Sequence, residues 1–161
     1  RADVLTYSTD VLPEDLTLAG PITADLFVST TGTDADFVVK VVDVYPDDAP
    51  DNGSVKMGGF QMLVRGEVMR GRYRNSFSKP EAFAANKPAE VKFTMQDLHH
   101  TFKAGHKLMV QVQSSWFPLV DRNPQKFVDI YRATEVDFQS ATQRLYRYGK
   151  LSSHLKVGVL K

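Results

Sequence analysis

The side chains that could do chemistry are few. His99, His100 and His106 lie close together, and His154 stands apart. Imidazole serves both metal binding and proton transfer. Neighbouring residues on a strand face opposite ways, so His99 and His100 could not easily share a metal. His99 and His106 could meet across a turn, yet no third ligand is evident. They read as turn and surface histidines. No serine sits in a Gly-x-Ser-x-Gly elbow. No P-loop and no Gly-x-Gly-x-x-Gly is present. The sequence therefore assigns no catalytic residue, no cofactor-binding residue and no metal ligand within this chain, and no cofactor is expected.

The acidic run Asp47, Asp48 and Asp51 invites a calcium reading. With Asp48 in the first position of an EF-hand loop, Pro50 falls third and Gly59 stands where the bidentate glutamate belongs. The run reads instead as a solvated hairpin loop closing on Asn52-Gly53. Asn52-Gly53-Ser54 also matches a glycosylation sequon, a match common by chance.

Two further features concern surfaces. Arg70, Arg72 and Arg74 stand at alternate positions and would line one strand face. Three like charges in a row need water or carboxylate partners, either across the strands or on another domain. The segment Gln113 to Gln125 holds the only tryptophan, Trp116, with Phe117, Leu119 and Val120 beside it. Pro118 and Pro124 forbid continued ladder pairing there. A stiff apolar loop of this kind either folds over the end of its own domain as a lid or docks on a partner. Asp121 and Arg122 could hold its shape by an ion pair or by backbone hydrogen bonds.

These residues must be positioned by strands. Ile22, Ala24, Leu26 and Val28 share one face of a segment ending at Thr30. Val91, Phe93 and Met95 alternate with polar residues, as do Leu108, Val110 and Val112, and Leu155, Val157 and Val159. Phe37 to Tyr45 is apolar on both faces, as a strand covered on both sides would be. A long strand over Phe60 to Arg74 carries Gly66 and Gly71, which suggest bulges or bends. One short helix is expected over Glu135 to Thr142, where Thr134 and Asp137 form a weak capping box. About eight strands with one short helix give an all-β fold, a two-sheet antiparallel sandwich of jelly-roll type. A closed barrel competes with it.

The chain has 161 residues, 42% hydrophobic and 24% charged, which suits a single globular domain spanning 1–161. Lys plus Arg is 20 and Asp plus Glu is 19, a net charge of +1 that argues against nucleic-acid binding by bulk charge. No apolar run approaches the ~18 residues of a membrane span. The absence of cysteine excludes disulfides and thiolate chemistry but leaves the compartment of a soluble protein open, cytoplasmic or exported. A start at Arg1, almost directly in the strand-like Asp3 to Ser8, reads as a piece of a longer polypeptide.

Phe60-Gln-Met-Leu-Val-Arg-Gly-Glu-Val-Met-Arg-Gly-Arg-Tyr-Arg-Asn75 and Gln111-Val-Gln-Ser-Ser-Trp-Phe-Pro-Leu-Val-Asp-Arg-Asn-Pro-Gln125 resemble the C-terminal domain of X-Pro dipeptidyl-peptidases and cocaine-esterase-like (CocE/NonD) serine hydrolases. Asp3-Val-Leu-Thr-Tyr-Ser-Thr9, Gly20-Pro21-Ile22, Asp36-Phe37, Val42-Asp43-Val44-Tyr45-Pro46, His100-Thr101-Phe102, Gly105-His106 and Ala141-Thr142-Gln143-Arg144 fit in the same order. The resemblance implies a jelly roll of galactose-binding-like type following an α/β-hydrolase domain that carries a Ser-Asp-His triad. The family's triad lies upstream, so no catalytic residue transfers to this chain.

The role that the resemblance leaves is mechanical. A rigid sandwich on a catalytic domain of the same polypeptide would help shape its substrate cleft. Trp116, Phe117, Leu119, Asp121, Arg122, Arg70 and Arg72 are the residues expected at that contact. A carbohydrate-binding module and a homo-oligomerisation domain are the competing readings.

Overall fold

The computed structural model describes residues 2–160. Among the described residues nine strands form two antiparallel sheets. They are β1 Leu5–Ser8, β2 Leu16–Thr30, β3 Asp36–Val44, β4 Gln61–Arg70, β5 Ala89–Phe102, β6 Lys107–Gln113, β7 Gln143–Leu145, β8 His154–Lys156 and β9 Val159–Leu160. One sheet has the order β1-β6-β3-β4. In the other, β2 pairs with β5 along one side and with β7, β8 and β9 along the other. The chain crosses between the sheets at each of the connections β1–β2, β2–β3, β4–β5, β5–β6 and β6–β7, which gives the jelly-roll sandwich.

Alternation decides which side chains fill the space between the sheets. Phe37, Val39 and Val41 of β3, Met69 of β4 and Val112 of β6 face Leu18, Ile22, Ala24, Leu26 and Val28 of β2 and Val91, Phe93, Met95, Leu98 and Phe102 of β5. Each fully buried large side chain contributes about 1.5–3 kcal/mol of transfer free energy. Val38 and Val42, pointing the other way on β3, are buried as well, at 0% and 3% exposure. This matches the two-sided apolar character of that strand: its outer face is also covered.

Three local expectations change. The long strand ends at Arg70, and Gly71–Tyr73 forms a 3-10 turn. Close packing at the turn requires glycine: a Cβ at Gly71 would meet the Phe83 ring at 2.5 Å and the Ala35 carbonyl at 2.6 Å. The irregularity of β4 lies between Leu63 and Arg65 rather than at Gly66, since the register slips opposite Val41 and Val42. The helix expected over 135–142 is only the 3-10 turn Glu135–Asp137. The capping interaction is real, with the Thr134 N–H donating to Asp137 at 3.0 Å. Helix cannot continue because tertiary partners claim the next residues. The Gln139 N–H donates to the Pro124 carbonyl and the Thr142 N–H to the Thr31 hydroxyl. Val136, 89% exposed, supplies no apolar face to bury.

Candidate interdomain surface

The segment after β6 lies against the outer face of the four-stranded sheet. Trp116 reaches across Gly66 of β4, where an added Cβ would come within 2.5 Å of the indole Cη2. Gly66 is thus a seat for the ring. The Lys40 ammonium lies 4.3 Å from the indole centroid, a favourable cation–π position. The Val120 N–H donates to the Trp116 carbonyl at 3.0 Å and closes the loop. The Phe117–Pro118 peptide is cis. On the upper side Phe117 and Leu119 are 65% and 68% exposed. A shallow groove of about 420 Å³ runs beside Trp116 and Leu119 along Gly66, Glu67 and Arg70.

A buried polar cluster anchors the far end of this loop. Asn123, 6% exposed, donates from Nδ2 to Asp34 at 3.0 Å and to Asp36 at 2.9 Å. Its own Oδ1 accepts from the Gln125 N–H. Arg72 donates through Nε and Nη2 to the same Asp34 oxygen, at 2.8 and 2.6 Å. Arg70 pairs with Asp36 at 3.5 Å and with Asp121 of the loop. Burial pushes the Asp36 carboxyl up to about 6. Hydrogen bonding from Asn123 and the Arg70 charge pull against that shift, while Asp34 and Asp121 add to it. Val38 lies between Asp36 and Lys40 on the same strand face, so the loop that touches both crosses over it. The segment is a lid on the outside of a sheet with a second, exposed apolar side.

The expected contact residues therefore divide. Phe117 and Leu119 are outward. Trp116 is half-buried on the sheet, and Asp121 grips Arg70. Arg122 is exposed, 3.5 Å from Glu135 and stacked 4.7 Å from the Phe138 ring. Arg72 is buried against Asp34 and braces the loop instead of facing outward. The three alternate arginines do not share a strand face, because the chain turns after Arg70. Each finds its own acceptors, Arg74 taking the carbonyls of Gly71, Glu81 and Ala82.

The histidines proved less superficial than their sequence context suggests. His100 Nε2 and His106 Nδ1 lie 2.9 and 2.7 Å from the two oxygens of Asp43, itself 2% exposed. Tyr45 packs on His106 and Phe102 on His100. His99 is exposed on the opposite face. A carboxylate and the imidazole it orients are two of the three members of a catalytic triad. Among the described residues, however, no hydroxyl hydrogen-bonds to either ring, and no group of three ligating side chains could hold a metal. A cleft of about 730 Å³ between β4 and β5 is lined by Glu67, Met69, Tyr73, Phe77, Lys92 and Phe93. Its ammonium group is already engaged with Asp25. Among the described residues no helix is long and apolar enough to cross a membrane.

The sandwich thus presents a loop fastened on its underside and apolar on its outward side. The comparisons give the family. Residues 1–156 match the X-Pro dipeptidyl-peptidase C-terminal non-catalytic domain, and the chain belongs to that family. It is 35% identical over its full length to a cocaine esterase of Rhodococcus sp. (strain MB1 Bresler), covering 26% of that protein. The solved aminopeptidase from a marine sediment Thaumarchaeota archaeon superposes with a TM-score of 0.95 at 42% identity, over all of this chain and 26% of the other. An α-amino acid ester hydrolase superposes with a TM-score of 0.94 at 45% identity, over 99% of this chain and 26% of the other. The chain thus spans about a quarter of the relatives it matches.

Proposed function

We propose that this chain is the non-catalytic sandwich of a larger hydrolase polypeptide, and that its Trp116 to Asn123 loop packs on the catalytic domain and fixes one wall of the substrate cleft. The relatives are named for esterase, ester-hydrolase and aminopeptidase activity. All three names describe cleavage of an acyl bond, so the reaction proposed for the whole polypeptide is hydrolysis of an ester or amide. The triad residues belong to the part outside these 161 residues. The carrying observation is the two-sidedness of the loop: Trp116 and Asn123 fasten its underside while Phe117 and Leu119 stand exposed together. Paired exposed apolar side chains on a stiff loop suit a buried contact.

The test is the double substitution F117S/L119S in the full-length polypeptide. A displaced wall should lower kcat/KM by about tenfold or more, since small misplacements near a reacting centre are costly. The same pair in the isolated chain should leave its urea midpoint unchanged. Unaltered activity in the full-length variant would contradict the reading.

A further inference from the structure

The cluster at the root of the loop carries unequal charge. Asp34, Asp36 and Asp121 supply three carboxylates, against the two guanidiniums of Arg70 and Arg72. Asn123 contributes hydrogen bonds but no charge. Asp34 and Asp36 are almost fully buried, so the excess negative charge lies where water screens it poorly. Arg72 is committed to Asp34 by two hydrogen bonds. Arg70 is divided between Asp36 of β3 and Asp121 of the loop.

We propose that Asp36 is a proton-operated latch: with Asp36 neutral, Arg70 turns wholly to Asp121 and grips the loop, and with Asp36 ionised that grip is shared and loosens. A proton on Asp36 leaves two carboxylates facing two guanidiniums, a balanced set. Its loss restores the divided Arg70 and adds repulsion between Asp36 and Asp121. The groups facing Asp36 are Arg70 from β4, Asp34 from the segment before β3, and Asp121 and Asn123 from the loop; Arg72 meets the set through Asp34.

The direction of the carboxyl shift supports this. Asp36 titrates at about 6 against 3.8 for an ordinary aspartate. The folded chain therefore holds this proton more tightly than the unfolded chain does. Its stabilising contribution is complete below pH 3.8 and is lost as pH rises through about 6. The tight state of the loop is the acid one.

Trp116 is the chain's only tryptophan and sits on this loop, so it reports the latch directly. Acrylamide quenching of Trp116 should increase between pH 5 and 7 with a midpoint near 6. In D36N it should stay at the low, acid value throughout, and in D121N at the high value throughout. The H100Q/H106Q variant should titrate like the unsubstituted chain, which separates Asp36 from the histidines. Should D36N fold poorly, NMR of the unsubstituted protein gives the same test, since the Asp36 carboxyl carbon and the Trp116 indole N–H should share one midpoint. A flat quenching profile, a transition that persists in folded D36N, or separate NMR midpoints would overturn the latch. Those outcomes leave the proposed docking standing, because activity of F117S/L119S reads contact and not protonation.

Discussion

Strand β3 carries a buried acid at each end, and the two are wired differently. At its start Asp36, with Asp34 beside it, faces arginines, whose charge cannot be removed. At its finish Asp43 faces two histidines, one on β5 and one just before β6. The Asp43 set joins the two sheets to each other. The Asp34 and Asp36 set joins one sheet to a loop. The contrast shows where specificity of shape is needed in this fold. The sheet-to-sheet contact already has a large apolar core, so its polar clasp is an addition. The outer loop has little apolar burial beyond Trp116 and Val38, and depends on its charged root.

That contrast makes unequal demands on the two ends. The largest effect should come from R72M, which leaves Asp34, with no exposed surface, without its cation. Breaking a buried pair from one side costs about 3–5 kcal/mol. Urea unfolding should show it, and R72M/D34N should recover part. D43N should cost less, about 1–3 kcal/mol, because His100 and His106 lose an acceptor but remain partly open to water. A D43N penalty exceeding that of R72M would reverse the comparison. The smallest loss belongs to G66A, at about 1–2 kcal/mol from a methyl group forced against the indole. Its sharper sign is optical: Trp116 emission should move to longer wavelength as the ring lifts, with the sheet core intact.

Much of the sandwich was legible because one-sided burial writes itself as alternation. Ile22 to Val28 and Val91 to Met95 are read correctly for that reason. The two-sided apolar strand at Phe37 to Tyr45 even signalled the cover on its outer face. The arginine spacing misled, because alternate positions share a face only while the strand lasts, and this one gives way to a 3-10 turn after Arg70. The short helix failed because hydrogen-bond partners distant in the chain outcompeted a weak local cap. The Trp116 loop was legible as stiff and apolar, but which of its sides faces the sheet depends on Gly66, some fifty residues away. The partnership of Asp43 with His100 and His106 spans 57 and 63 residues. Its one local trace is an acid embedded in an apolar strand.

A docked loop requires that its exposed side be covered in the intact polypeptide. Hydrogen–deuterium exchange of the backbone amides of Trp116, Phe117, Leu119 and Val120, compared between this chain alone and the full-length polypeptide, measures that directly. Slower exchange at these amides in the full-length protein, with the β2 and β5 amides unchanged, is the expected result. Equal exchange in both forms would contradict a docked loop.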